Sequence, residues 1–107
     1  MKFRVIVTPE AQTGIRQSFL YIRQHGPLNA ARWLRGLYAT VATLERMPER
    51  CGPAIERDYV DQDLRQLIFK SHRIVFRIDK PLKIVWVLWV RHGKQQAIGE
   101  QLSEDDG

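Results

Sequence analysis

Residues Leu64 to Lys94 read LRQLIFKSHRIVFRIDKPLKIVWVLWVRHGK, and the fold follows from this stretch. Two tight turns, at Ser71 and at Lys80-Pro81, divide it into three runs, LRQLIFK, HRIVFRID and LKIVWVLWV. β-Branched and aromatic side chains dominate each run, which suits a pleated, packed surface. The last run, Leu82 to Val90, carries a single charge, Lys83, and is expected inside the sheet with both faces covered. In the middle run Ile74, Phe76 and Ile78 point one way and Arg73, Val75 and Arg77 the other. Simple alternation in the last run puts Trp86 and Trp89 on opposite faces. Eight Lys or Arg residues and one acid, Asp79, occupy the stretch, so the meander is expected to have one apolar face and one open, arginine-lined face.

Working outward, Lys2 to Thr8 forms a short strand and Thr8-Pro9-Glu10 starts a helix. Thr8 supplies the cap, Pro9 suits the first helical position and Glu10 complements the dipole. That helix is predicted over Pro9–Gln24, with Ala11, Ile15, Phe19 and Ile22 as its apolar stripe. Gly14 inside it costs roughly 1 kcal/mol relative to Ala and suggests a closely packed neighbour. His25-Gly26 stops the helix and Pro27 restarts one, predicted to Arg46, with Ala30, Leu34, Leu37, Val41 and Leu44 inward. Pro48 to Asp63 reads as a 16-residue aperiodic, acid-rich loop, a length often tied to function. The order β-α-α-β-β-β predicts an α+β domain: a helical hairpin on one face of a four-stranded, mainly antiparallel sheet. Residues 1–99 are expected to form the single domain, and 100–107 an acidic, flexible tail.

The 107 residues suffice for one core. No apolar run reaches the ~20 residues of a membrane-spanning helix, and MKFRVIV enters a strand without a signal-peptide pattern. One cysteine, Cys51, allows neither an internal disulfide nor a metal-ligand spacing, so a reducing cytoplasm without metal or cofactor is expected. Residues 1–99 hold 17 bases against 8 acids, and 12 of the 17 are Arg, whose planar fork suits carboxylate or phosphate. An anionic partner is expected.

The segments VTPEAQTGIRQSFLYI, PLNAARWLRGLYATVATLERMPER, LRQLIFKSHRIVFRID and VLWVRHGK, in this order and spacing, resemble the RelE/ParE superfamily of type II toxins, also called plasmid-stabilisation proteins. ARWL, MPER, HRIVFRID and RHGK resemble the ParE branch more than the RelE branch. The resemblance implies a toxin neutralised by a cognate antitoxin whose C-terminal segment wraps around it. Operator DNA would be contacted only indirectly, through that antitoxin. Trp33, Leu37 and Tyr38 on the second helix are the candidates for gripping the antitoxin, core packing being the alternative for the two aromatics.

The superfamily holds two functional classes. RelE-like members resemble ribosome-dependent mRNA endonucleases, whose chemistry needs a base, cations for the phosphorane and an acid. Here those roles would fall to Glu56, to Arg65 and Arg73, and to His92, aided by Lys70 and Arg91. The match is incomplete: nuclease members with this trio carry an aromatic after the terminal His, and this chain has Gly93. ParE-like members resemble inhibitors that bind DNA gyrase, which requires surface and charge but no acid–base pair. Arg65, Arg73, Arg77, Arg91, His92 and Lys94 are the target-binding candidates on that favoured reading. Arg65 and Arg73 have a structural alternative as partners of Asp63, Glu56 or Asp79, and Glu56 sits where a solvated acid is the usual outcome. A basic nucleic-acid-binding domain is the third reading, weakened by the lack of exposed aromatics at stacking spacing.

Overall fold

The computed structural model describes residues 2–93; Lys94 and the acidic segment 100–107 lie outside the described residues. The elements are β1 (Arg4–Val7), α1 (Pro9–Arg23), α2 (Pro27–Ala42), β2 (Arg65–Phe69), β3 (His72–Asp79) and β4 (Ile84–His92). The sheet order is β1-β4-β3-β2, with β1 parallel to β4 and the other pairs antiparallel. β4, the least charged strand, is therefore central, as its composition predicts. Among the described residues no helix is long and apolar enough to cross a membrane.

Both helices pack on one face. Thr8 caps α1 by accepting from the Ala11 N–H at 3.2 Å, and its hydroxyl donates to the Val87 carbonyl of β4 at 2.9 Å. The same residue thus starts the helix and fastens it to the central strand. A Cβ on Gly14 would lie 2.6 Å from the Val90 carbonyl oxygen, so the close approach expected there is α1 against the β4 backbone. Gly36 plays the matching part for α2, where a Cβ would lie 2.8 Å from the Phe69 ring. Between the layers Leu37, Leu44, Ile74, Phe76, Val85 and Val87 are fully buried. Burying each such large side chain contributes roughly 1.5–3 kcal/mol.

β1 and α1 are shorter than the sequence reading by one to three residues, and the larger differences lie further along the chain. α2 ends at Ala42 and tightens into a 3-10 turn over Thr43–Glu45, rather than running to Arg46. β4 begins at Ile84 because Lys83 takes a left-handed φ of 58°, which extends the turn and leaves Leu82 exposed. Pro48–Asp63 is not wholly aperiodic: it contains 3-10 turns at Pro48–Arg50 and Ile55–Asp58.

Two larger corrections concern the second face. Val75 stands opposite Trp89 and Phe76 opposite Val87, so Leu88 is an additional residue in β4, a bulge. The bulge shifts alternation by one, so Trp86 and Trp89 share a face. This face is also not left open. The 48–64 segment folds across part of it, burying Ala54 and Leu64 against Val75, with Leu88 and Trp89 beside them as a second core. Gly52 and Ala54 bond to Gln66 and Leu64 across a bridge between Pro53 and Arg65, which covers the outer edge of β2.

Candidate functional site

On the covered face, Glu56 is fully buried and Arg73 is 4% exposed. The Arg73 guanidinium donates from both Nη atoms to the two Glu56 carboxylate oxygens, at 2.8 and 2.9 Å, and from Nη1 to Gln66 Oε1 at 3.3 Å. Arg91, facing Arg73 across β3 and β4, brings its Nε to 3.8 Å from the same carboxylate. Burial opposes ionisation of Glu56. The Arg73 hydrogen bonds, a backbone N–H, and the charges of Arg73 and Arg91 outweigh it, holding the carboxyl below its ordinary value. The solvated Glu56 expected from its acid-rich surroundings is therefore wrong. The acids around it mark a surface loop, but its side chain turns inward because a guanidinium waits beneath.

Arg65 is also engaged. Its Nη1 donates to the Glu49 and Cys51 carbonyls at 2.9 and 2.8 Å, and its Nη2 lies 3.4 Å from Asp63. Arg65 and Arg73 thus clamp the 48–64 segment, and the structural alternative for both is the observed arrangement. The Cys51 thiol under this clasp is buried, and desolvation raises its pKa despite nearby Arg50 and Arg65. Arg77 differs: its guanidinium sits 5.7 Å from the Trp86 ring centroid, half-exposed on the uncovered part of the face.

His92 does not join this group. The Leu88 bulge puts Arg91 on the Arg73 face and turns His92 to the helix side, where its ring lies 5.2 Å from that of His72. The four residues expected to make a nuclease site are thus separated by the sheet: Glu56 and Arg73 pair on one face, whereas Arg65, opposite Phe76 at the edge, and His92, opposite His72, have the register of the other. Of the three candidates for gripping an antitoxin, Leu37 is fully buried and Trp33 is 5% exposed, while Tyr38 is 43% exposed. Core packing claims the first two because they lie on the inward stripe of α2. Tyr38 borders a shallow groove beside β1, whose outer edge has no strand partner among the described residues.

On the helix side a cleft of about 420 Å³ opens between α1, the β2–β3 turn and the end of β4. His72 and His92 form its floor, with Ser18, Trp33 and Lys70 around them. His72 Nε2 lies 3.0 Å from Ser18 Oγ, and its ring is 5.0 Å from that of Trp33. Burial, with the nearby His92, depresses the His72 pKa and keeps the imidazole neutral. No group of three or more side chains able to hold a metal occurs among the described residues.

Comparison with known families places this geometry. Residues 5–97 match the family described as the ParE toxin of type II toxin-antitoxin systems, parDE. The chain belongs to the ParE toxin family. This is a type II toxin family within the RelE/ParE superfamily, as the order of the sequence segments suggests. Two solved structures share the fold of this ParE-family chain. One is the RelBE2 toxin-antitoxin complex of Mycobacterium tuberculosis, at 22% identity and a TM-score of 0.64, covering 86% of this chain and 92% of that one. The other is the chromosomal ParDE toxin-antitoxin system of P. aeruginosa, at 16% and 0.68, covering 85% and 96%. No curated protein matches the sequence.

Nothing in the local sequence pattern brings Ser18 of α1 to the turn at Ser71 or marks the pair it makes with His72. One signal was available for His72: it shares the parity of Ile74, Phe76 and Ile78, which places it on the apolar face of this ParE-family sheet.

Proposed function

We propose that this ParE-family toxin acts by binding its target, DNA gyrase, rather than by cleaving RNA, and that a cognate antitoxin holds it inactive. One observation carries the reading: the acid expected to serve as general base beside the sheet arginines, Glu56, is buried and held in a bidentate pair by Arg73. A general base must reach the proton it removes, within about 2.6–3.2 Å of its carrier. Both Glu56 oxygens are occupied beneath the 48–64 segment, and His92, the expected acid, lies across the sheet. Gyrase binding needs no such pair. Of the arginines expected to meet the target, Arg77 is the contact this reading favours, since Arg65 and Arg73 hold the chain's own loop. The antitoxin reading rests on the family, on the two similar structures being toxin-antitoxin complexes, and on the edge position of β1 beside Tyr38, which no other strand among the described residues covers. An edge strand flanked by a groove suits a partner that adds a strand.

The test pairs a gyrase supercoiling assay with a ribosome-programmed mRNA cleavage assay on purified protein, each with and without antitoxin. Loss of supercoiling with trapped cleaved DNA and intact mRNA is expected. Codon-phased mRNA cuts with gyrase unaffected would overturn the proposal and return Glu56, Arg65, Arg73 and His92 to candidacy as a nuclease site.

A further inference from the structure

The helix-side cleft contains polar atoms that neither the fold nor the proposed target binding uses. Trp33 and His72 are 5% and 6% exposed, yet Trp33 Nε1 and His72 Nδ1 have no hydrogen-bond partner. Unpaired buried polar atoms are rare in folded chains and costly where they occur. When Ser18 donates to His72 Nε2, the neutral imidazole carries its proton on Nδ1, so both unpaired atoms are N–H donors. Lys70 adds an ammonium at the rim. Among the described residues lining the cleft there is no carboxylate, and Ile22 and Val90 supply apolar wall.

Lys70 is also the residue that local geometry would not choose. It holds a φ of 53° in the two-residue turn joining β2 to β3, where Gly or Asn is comfortable and a long side chain is strained. Strain of this kind clusters at binding and switch positions. Lys70 thus stands where glycine would be unstrained, with its ammonium 5.7 Å from the Phe69 ring centroid at the rim of a cleft of donors, and that placement points to a use for its charge.

We propose that this cleft binds a small organic monoanion, a carboxylate carried on an apolar body. The carboxylate pairs with Lys70 at the rim and, once the cleft side chains shift to uncover the two buried nitrogens, accepts from Trp33 Nε1 and His72 Nδ1, while the body lies against Ile22 and Val90. A volume of about 420 Å³ is in the range of small-molecule sites. A single lysine beside a neutral His72 matches one negative charge rather than two. The role is recognition, because His72 and His92, with ring centroids 5.2 Å apart, leave no space for a reacting phosphate between them.

The experiment titrates the full-length protein with benzoate, with its uncharged isostere benzamide and with phenyl phosphate, following indole N–H and histidine ring resonances by NMR. Saturable shifts of Trp33 and His72 with benzoate, and much weaker ones with benzamide, are expected. Lys70→Gly should weaken benzoate binding about tenfold or more. The same substitution should raise the urea midpoint, because Gly accepts the left-handed turn without strain. Lys70→Arg should keep most of the affinity. Equal binding of benzoate and benzamide, unchanged affinity in Lys70→Gly, preference for phenyl phosphate, or shifts confined to Trp86 and Trp89 would each overturn the proposal.

Discussion

Replacing Arg73 with alanine is expected to destabilise this protein strongly. The substitution strips Glu56 of both short hydrogen bonds while the carboxylate stays under the 48–64 segment, where its side chain is 1% exposed. Removing one partner of a buried pair typically costs about 3–5 kcal/mol, because the other charge is left uncompensated. Arg91, 3.8 Å from Glu56, retains part of the attraction, so the lower end, about 3 kcal/mol, is expected. For a domain of this size each 1 kcal/mol lowers Tm by about 4–8 °C, which gives a drop of about 12–24 °C. Urea unfolding followed by circular dichroism measures it, in a cycle with Glu56→Leu, Arg73→Met and the double variant. The double variant should lose less than either single one, since replacing both charges with apolar groups removes the uncompensated ion. An Arg73→Ala protein within about 1 kcal/mol of wild type would refute the reasoning, because that is the response of a solvent-exposed arginine. It follows that lost toxicity in Arg73→Ala reports lost folding and says nothing about target contact.

Arg77→Ala is the informative surface probe: it should keep stability within about 1 kcal/mol, losing only a half-exposed cation–π contact, yet reduce gyrase inhibition in the supercoiling assay. Full inhibition by a folded Arg77→Ala protein would remove Arg77 from the interface. Gly14→Ala should lower stability despite better helix propensity, because the new methyl would meet the Val90 carbonyl at 2.6 Å; overpacking of this kind costs about 1–3 kcal/mol, and an unchanged or raised Tm would contradict the close approach of α1 to β4. Stability should also fall in acid. His72 has a depressed folded pKa, so the unfolded chain takes up its proton first; its contribution is complete above the ordinary histidine value near 6.5 and is lost as pH falls through the folded value. Glu56, also depressed, adds a second loss only below the ordinary carboxylate value near 4.5. Urea midpoints that fall between pH 6.5 and 5 in wild type but stay flat in His72→Gln would bear out the first step, and equal slopes would contradict it.

Much of the architecture was legible in the chain because it is written in local periodicity. The alternation in β3, the two helical stripes, the Thr8-Pro9 helix start and the charge-poor central strand each depend on residues a few positions apart. Those patterns specify element type and the buried side, and the resemblance of the same segments to the RelE/ParE superfamily agrees with the family match over residues 5–97. The candidate site was read less well, for two identifiable reasons. One bulge residue, Leu88, reverses the alternation of β4, exchanging the faces of Arg91 and His92 and separating His92 from Arg73.

The second reason is that periodicity says which way Arg73 points but not what comes to cover it. Glu56 is 17 positions away, in a segment whose other acids are largely exposed, and nothing in its neighbours distinguishes it from them. The choice of Glu56 as partner is made by the path of the 48–64 segment, which Arg65 and the Pro53 bridge fix across the sheet. A buried ion pair requires that its guanidinium and carboxylate reach bonding geometry together and leave water together. Sequence alone determined the family, the element order and the face that meets the helices. Only the tertiary structure decided which arginines remained on the surface, because desolvation and pairing depend on distances in space rather than along the chain.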